Sequence, residues 1–265
     1  MQFKELPRLQ FEQFLRNPDI VKFPLVNAVA NSKQSGRIFT NGLADLFIIH
    51  KANFSFGKVT SGEESTNQLI KLFETGNNIP KYFHLYSPDS MLVNQLEALS
   101  DLFNLRKRNR IQLRYSKNSI AVDSAFKLGD EYKVEIIDDV NFDQLGPLEI
   151  DLAQKFWDSK SDFLKNGVGV CVMRNDRVPV SVCYSACLVD RVAEIDIKTA
   201  VSFQKMGFGE IVAREFVKLA IGRGIIPNWD CFDDNYASIA TATKVGFESI
   251  NEYQFVSVFN KRNQS

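Results

Sequence analysis

The chain has 265 residues, and its 32 Lys and Arg residues balance its 32 Asp and Glu residues, so the formal net charge is zero. Hydrophobic residues make up 45% of the chain and charged residues 24%, which is typical of a soluble globular protein with one large domain or two small ones. The balanced charge excludes a global attraction to nucleic acid or to an anionic membrane surface. No apolar run reaches the length of a membrane span, and the first residues lack a signal-peptide pattern, so we expect a cytoplasmic protein.

Cysteine and histidine usage limits the metal and redox chemistry that the chain can carry. The cysteines are Cys171, Cys183, Cys187 and Cys231, and the histidines are His50 and His84. All of them lie in apolar, strand-like stretches, without a Cys-x-x-Cys pair or a cysteine next to a histidine. We therefore predict buried thiols in a reducing compartment, structural histidines and no metal cofactor.

Residues 1–130 are predicted to alternate helices and strands. We predict helices over residues 9–15, 23–30, 65–73 and 90–103, and strands over residues 37–39, 43–50, 54–59, 82–86 and 111–115. Asn41-Gly42 is a hairpin-turn signal, and Ser90 is a candidate N-cap for the last helix. The basic run over residues 106–110 is interpreted as a solvated helix end, because it lacks the neighbouring aromatic residues of a nucleic-acid patch.

Residues 131–265 are predicted to begin with antiparallel strands. We predict strands over residues 132–137, 168–174, 178–188 and 192–199. Helical turns are predicted over residues 142–157, interrupted by Gly146-Pro147 and followed by a helix over residues 150–157. Hairpin turns are indicated at Asn175-Asp176 and Asp190-Arg191. There follow a helix over residues 211–221, a strand over residues 225–231, a helix opened by Asn235 that ends before Gly246, and a final strand.

The segment from Val192 to Gly209 carries the strongest signal. Its strand part has one apolar and hydroxyl face and one charged face, Ile195, Ile197 and Thr199 against Glu194, Asp196 and Lys198. The strand is followed by Gln204-x-x-Gly207-x-Gly209 and then at once by the apolar-periodic helix. A strand, a short glycine loop and a helix point several backbone N–H groups and the positive end of a helix dipole at one place. Such a place binds an anion, most often a phosphate.

This loop resembles the acyl-CoA loop of the Gcn5-related N-acetyltransferases, in which Gln or Arg precedes the same glycine pattern between a strand and a helix. The elements that follow, a strand, an Asn-initiated helix, Gly-Phe and a strand, are similar to the second half of that fold. Other segments resemble the subfamily of zwittermicin A resistance acetyltransferases, namely Phe156-Trp157, Phe163-Leu164, Gly167-x-Gly169, and Pro227-Asn228-Trp229-Asp230-Cys231 with Ser238. The resemblance covers roughly residues 131–265.

The resemblance implies an α/β fold of the α+β type, in which a mixed, mostly antiparallel sheet is flanked by helices. It places an acetyltransferase domain over residues 131–265. Members of the subfamily commonly contain two such units in tandem, so residues 1–130 are expected to be a degenerate copy. That half has no Gln-x-x-Gly-x-Gly loop, which implies that a copy there has lost its CoA site.

The resemblance also implies acetyl-CoA as co-substrate. Ile197 and Thr199 would meet the pantetheine arm, and the N–H groups of residues 204–209 would hold the pyrophosphate. Asn235 and Ser238 would touch the pantetheine from the other side, although Asn235 is equally well explained as an N-cap. The full set implied is Ile197, Thr199, Gln204, Lys205, Met206, Gly207, Phe208, Gly209, Asn235, Ser238 and Lys244. The last lysine of the set is a candidate for the 3′-phosphate.

Acetyl transfer to an amine needs a neutral attacking amine, and therefore a base. The family often uses a carboxylate on the central strand, and Glu194 matches that position better than Asp196, which lies two residues on and on the same face. Glu194 is therefore the preferred base. The alternative explanation for either carboxylate is a solvent-facing residue or a partner of Lys198 across the sheet, and it is favoured for Asp196.

The usual proton donor for the leaving thiolate is missing. Many of these enzymes carry a tyrosine four residues before the glycine of Gly-Phe, where this chain has Ala242. Tyr236 and Cys231 are candidate substitutes for this proton donor. The alternative explanation is that Tyr236 is a surface residue and Cys231 a core residue.

The first hypothesis is an acyl-CoA-dependent N-acyltransferase that transfers acetyl from acetyl-CoA to a primary amine of a small molecule, without nucleic-acid or membrane partners. The leading alternative is a catalytically weak acyl-CoA-binding sensor or interaction module. The missing tyrosine and Gln204, in place of the more common arginine, favour that alternative. A nucleotide-binding α/β protein is disfavoured, because the loop follows three antiparallel strands rather than the first parallel strand.

Overall fold

The structure is a computed structural model that describes residues 2–14, 17–42, 44–75, 79–116, 127–148 and 155–261. The chain divides into two compact units. The N-terminal unit contains residues 1–110 with 253–265, and the C-terminal unit contains residues 111–252. Within the described ranges, no helix is long and apolar enough to cross a membrane.

The N-terminal unit is a mixed sheet with helices. Its strands are β1 (Lys4–Glu5), β2 (Gly36–Thr40), β3 (Leu46–His50), β4 (Phe54–Lys58), β5 (Tyr82–Tyr86), the first part of β6 (Phe103–Tyr115) and the last part of β12 (Phe247–Asn260). Its helices are α1 (Pro18–Val21), α2 (Pro24–Ala30), α3 (Glu63–Thr75) and α4 (Ser90–Ala98), with a 3-10 turn over Arg8–Phe14. The strand order is β1-β2-β3-β4-β5-β12-β6, and β4 and β5 run parallel.

The C-terminal unit repeats this plan. Its strands are β7 (Tyr132–Ile136), β8 (Gly169–Arg174), β9 (Pro179–Val189), β10 (Val192–Thr199), β11 (Ile226–Phe232), the last part of β6 and the first part of β12. Its helices are α5 (Asp139–Phe142), α6 (Lys160–Asn166), α7 (Phe208–Gly222) and α8 (Tyr236–Val245), with 3-10 turns over Asp143–Leu148 and Val201–Phe203. The strand order is β12-β6-β11-β10-β9-β8-β7, and β10 and β11 run parallel.

Helix α7 supplies one side of the core of the C-terminal unit. Its buried residues recur at helical spacing and are Phe208, Ile211, Val212, Ala213, Phe216, Val217 and Ala220. They form one cluster with Ala193 and Ile195 of β10 and with Trp229 of β11. Burial of each large side chain contributes about 1.5–3 kcal/mol, so this face fixes α7 against the strands that precede and follow it.

Both units follow one order of elements, a strand, short helices, three antiparallel strands, a long helix, a parallel strand, a second helix and a last strand. The mixed, mostly antiparallel sheet flanked by helices is therefore confirmed, and it occurs twice. The boundary at residues 130 and 131 stays a prediction.

The interpretation of residues 106–110 as a helix end is wrong. Helix α4 ends at Ala98, and the basic run lies in β6. The helical spacing of apolar residues continues past the end of α4 to Phe103, but Phe103 is the first residue of the strand. Aromatic neighbours are also present, since the Arg110 guanidinium lies 5.0 Å from the ring centroid of Phe255 on β12. They are distant in sequence, so local patterns did not reveal them.

Several predicted boundaries differ from the observed ones. The N-cap of α4 is Asp89 rather than Ser90, and the Leu92 N–H donates to its Oδ1 at 2.8 Å. The turns predicted over residues 142–157 begin earlier, at Asp139, because Asp138 forms a capping box with Asn141. Residues 15, 43 and 150–154, which belong to other predicted elements, lie outside the described residues.

Candidate functional site

The site is built where β10 and β11 stop pairing. Their parallel register contains only three pairs, and the last of them joins Glu194 to Asn228. On its other side, β10 remains paired with β9 as far as Thr199. The edge of β10 that faces β11 is therefore open beyond Glu194, and the open edge of a strand presents backbone N–H and C=O groups to a ligand.

The loop between β10 and α7 contains left-handed residues and backbone N–H groups without acceptors among the described residues. Lys205 (φ 63°) and Gly207 (φ 88°) are left-handed, and Gly207 caps the N-terminus of α7. Among the described residues, the backbone N–H groups of Lys205, Met206, Gly207 and Gly209 have no hydrogen-bond acceptor. Successive N–H groups in such a turn, next to the positive end of a helix dipole, form an anion-binding concavity.

Side chains around the loop connect it to β10 and place the charge of Lys244 near it. The Gln204 Nε2 donates to the Thr199 carbonyl at 3.3 Å. In the first turn of α7, the Glu210 carboxylate accepts from Arg214 Nε and Nη2 at 3.0 and 2.9 Å. Lys244 Nζ lies 4.0 Å from the other Glu210 oxygen. Because Glu210 is balanced by Arg214, the exposed Lys244 contributes its charge near the helix N-terminus.

The structure shows the N-cap role of Asn235. Its Oδ1 accepts from the Ser238 N–H at 3.2 Å. The Ser238 hydroxyl in turn accepts from the Trp229 Nε1 at 2.9 Å, which ties α8 to β11. A contact of Asn235 or Ser238 with pantetheine stays a prediction.

The two strand carboxylates have different surroundings. Glu194 is 8% exposed, and its Oε2 accepts from the Asn228 Nδ2 at 2.6 Å. Asp196 accepts at Oδ2 from the Tyr184 hydroxyl at 2.7 Å and from Lys155 Nζ at 2.8 Å. Its Oδ1 accepts from the Ile197 N–H at 3.0 Å. Both oxygens of Asp196 are thus engaged, and Lys155 forms an ion pair with it.

Tyr184 is fully buried, and burial, followed by the charge of Asp196, raises the pKa of its hydroxyl well above the ordinary value. It therefore stays protonated and donates to Asp196. The candidate proton donors differ in position, since Tyr236 is 77% exposed in the first turn of α8 whereas Cys231 is buried. Ala242 is buried in the core cluster. The catalytic role of Tyr236 stays a prediction.

Sequence reasoning missed three residues of this site, Lys155, Tyr184 and Asn228. The hairpin turn at Asp190-Arg191 could have indicated which residue of β9 faces Asp196 in β10. In the observed register that residue is Tyr184. That register shifts by one residue between Glu194 and Ile195, so a count from the turn alone misplaces it. Lys155 and Asn228 reach the site from other segments, and the motif over residues 227–231 included Asn228 without indicating its contact with Glu194.

The histidines and cysteines have structural surroundings. His50 is buried, with Nε2 3.1 Å from Gln34 Oε1. His84 Nδ1 lies 2.9 Å from the Ser257 hydroxyl, and burial, with a smaller contribution from Arg110, lowers the pKa of His84 to about 4. The four cysteines are buried and outside any disulfide. In the part of the chain that the structure describes, no group of His, Cys, Asp and Glu side chains is arranged to hold a metal ion.

Known proteins match both the sequence and the fold. A relative from Bacillus subtilis (strain 168), "Uncharacterized N-acetyltransferase YdfB", is 38% identical over 100 residues, which is 38% of this chain and 38% of the relative. A GCN5-related N-acetyltransferase-like protein from Streptococcus suis 89/1591 has a TM-score of 0.69 at 18% identity, over 94% of this chain and 99% of that chain. A tandem GNAT protein from the clavulanic acid biosynthesis pathway has a TM-score of 0.62 at 9% identity, over 97% of each chain.

These structural likenesses, at low identity, concern the fold. The sequence match is broader, because the GNAT acetyltransferase family model covers residues 22–256. The protein therefore belongs to the GNAT acetyltransferase family.

Proposed function

We propose that the protein is an acyl-CoA-dependent N-acyltransferase, which transfers an acetyl group from acetyl-CoA to a primary amine of a small molecule by direct attack. The observation that carries this proposal is the group of backbone N–H donors without acceptors among the described residues, at Lys205, Met206, Gly207 and Gly209. They lie immediately after a strand whose edge is open, so a phosphate and an extended arm have adjacent places to bind.

GNAT family enzymes use acetyl-CoA, which supplies the acetyl group as a thioester. The residues present fit this co-substrate. Ile197 and Thr199 lie on the open part of β10, where the pantetheine arm would run. A Cβ added at Gly209 would lie 3.5 Å from the Thr199 hydroxyl, so the helix start closely approaches the strand end. Lys205 and Lys244 would supply cations for the phosphates.

Glu194 is the proposed general base. It is the carboxylate at the point where the strands separate, whereas Asp196 forms an ion pair with Lys155. It would take the proton of the attacking amine, so that the C–N bond forms as the C–S bond breaks. The departing thiolate would be protonated by Tyr236 or by solvent.

Residues 131–265 are proposed to carry the activity, and residues 1–130 to be a degenerate copy. In the N-terminal unit, the loop between β4 and α3 contains Gly62, whose φ of 86° is close to that of Gly207. There, the Asp45 carboxylate accepts from the Thr60 N–H at 2.6 Å and from the Ser61 N–H at 3.2 Å. An internal carboxylate thus occupies the N–H groups that would otherwise be available to a phosphate.

The acceptor class follows from the finer resemblance. Phe156-Trp157 and residues 227–231 resemble the zwittermicin A resistance acetyltransferases, so an amino-containing antibiotic or metabolite is the proposed acceptor. The second candidate function is an acyl-CoA-binding sensor. It is favoured by Ala242 in place of a tyrosine and by the exposure of Tyr236, one of the candidate proton donors.

The first test is a thermal-shift titration with acetyl-CoA, beside free CoA, NAD and ATP. We expect a saturable rise in melting temperature with the CoA species alone, since a ligand at a hundred times its dissociation constant adds about 2.7 kcal/mol of stability. An equal rise with ATP, or no rise with CoA, would contradict the proposal.

Thiol release across a panel of amines then separates enzyme from sensor. Glu194→Gln should lower turnover strongly while leaving acetyl-CoA affinity nearly intact, because the carboxylate acts on the amine. Binding of acetyl-CoA without thiol release from any amine would favour the sensor.

A further inference from the structure

Asn228 lies beside the proposed base at the point where the strands separate. It faces Glu194 in the last pair of the β10–β11 register, and its side chain is 1% exposed. The Nδ2 donates to Glu194 Oε2 over 2.6 Å. The short distance is typical of a hydrogen bond to an ionised acceptor.

The other end of the Asn228 amide is unsatisfied. Its Oδ1 is buried and has no hydrogen-bond partner in the part of the chain that the structure describes. A buried acceptor without a partner is costly and rare in folded proteins. The reverse orientation of the amide would place Oδ1 against the carboxylate and would remove its donor. The observed orientation therefore leaves Oδ1 without a partner and directs the NH2 group at Glu194.

We propose that Asn228 is a positioning residue, whose NH2 group orients the Glu194 carboxylate and keeps it ionised so that it can accept the proton of the amine. This inference rests on the proposed function, because it takes Glu194 as the base. A hydrogen bond to the charged form of an acid favours that form.

Other titratable and polar groups lie on the same face as Glu194. Among the described residues, the groups on this face include Cys187 and Tyr184 of β9, Asp196 and Lys198 of β10, Asn228 and Asp230 of β11, and Lys155 on Asp196. Cys187, directly opposite Glu194, stays a neutral thiol, since burial raises its pKa well above the ordinary value. Asn228 contacts Glu194 directly and carries no charge.

The test is the pH dependence of kcat/KM for Asn228→Leu, a variant of similar volume without a donor. With acetyl-CoA saturating, the midpoint of the acidic limb should move up by about one pH unit or more, and activity on that limb should fall about tenfold per unit. Activity well above the midpoint should recover toward wild type, and the KM for acetyl-CoA should not change.

A second variant and two controls separate positioning from packing. Asn228→Asp keeps the shape of the side chain and should shift the midpoint further, which keeps the test available if the leucine variant does not fold. Ser185→Ala removes another buried polar group, which accepts from the Val168 N–H at 2.9 Å, and should lower stability without moving the midpoint. In a Glu194→Gln background, Asn228→Leu should have no further effect on turnover.

The outcomes separate this inference from the proposed function. If Glu194→Gln lowers turnover but both Asn228 variants keep the wild-type midpoint, Asn228 only packs and the inference is wrong. If Glu194→Gln leaves turnover unchanged, the assignment of the base is wrong, whatever the Asn228 variants do.

Discussion

Two buried carboxylates, Glu194 and Asp45, distinguish the two units at the level of single residues. Glu194 lies beside an open strand edge and accepts a hydrogen bond from the side-chain amide of Asn228. Asp45 is fully buried and accepts from the backbone of the loop before α3. Burial raises the pKa of Asp45, but hydrogen bonds from Thr60, Asn41, Ser65 and Ser61 outweigh it and lower the pKa to about 2. The hydrogen bonds of its loop therefore keep Asp45 ionised.

Asp45→Asn should lower the free energy of unfolding by about 2 kcal/mol at neutral pH, because one unit of pKa shift corresponds to about 1.4 kcal/mol. The folded pKa of about 2 lies below the ordinary value of 3.8, so this stabilisation is present above about pH 4 and is lost as the pH falls toward 2. Urea denaturation of both proteins at neutral and at acidic pH measures the difference. A difference that does not shrink on acidification would contradict the role of the charge.

At the level of elements, the loop before α7 combines a left-handed glycine with unsatisfied N–H groups. The matching loop before α3 has the same backbone conformation at Gly62, but Asp45 occupies its N–H groups. The two loops therefore separate the conformational requirement for glycine from the requirement for ligand binding. A side chain at the left-handed glycine is expected to strain both loops. It is expected to prevent ligand binding only at the loop before α7.

Gly207→Val and its matched control Gly62→Val should both lower the melting temperature, since a β-branched residue at φ near 87° is a strained outlier that costs on the order of 1–3 kcal/mol. Only Gly207→Val should abolish the acetyl-CoA-induced thermal shift. A Cβ at Gly62 meets no atom within 4 Å, so its effect is conformational alone. Retained acetyl-CoA binding by Gly207→Val would remove the loop from the site.

At the level of the whole molecule, the division into units falls within two strands, β6 and β12. Residues 111–115 of β6 belong to the C-terminal unit, where β6 lies between β11 and β12. Leu113 is buried in its core, and the Tyr115 ring lies edge-on to Phe247 at 5.8 Å. A strand that precedes residue 131 is thus part of the core that supports the candidate site.

A fragment of residues 131–265 should therefore fail to fold cooperatively, because it lacks the strand between β11 and β12. A fragment of residues 111–252 contains every strand segment of the C-terminal unit and serves as the matched comparison. Circular dichroism melting of both fragments measures cooperativity. A cooperative transition for residues 131–265, equal to that of the longer chain, would show that the strand is dispensable.

Local patterns predicted much of the C-terminal unit. The strand β10, the left-handed glycine before α7 and the helical spacing within α7 all appear in the structure, whereas the buried residues of β10, Ala193, Glu194 and Ile195, are consecutive rather than alternating. Alternation and helical spacing depend on neighbours in the chain, and a positive φ depends mainly on the residue itself, so the sequence expresses them directly. The same signals indicated the family, because its loop is local.

Long-range contacts were not predictable in this way. The basic run over residues 106–110 lies in a strand because β6 pairs within a sheet. The aromatic neighbour of this run, Phe255, belongs to β12. The contact of Asn228 with Glu194 needs a parallel register across a crossover that contains α7. Parallel registers are set by the packing of the crossover helix and not by a turn, so which carboxylate receives an amide donor depends on tertiary structure.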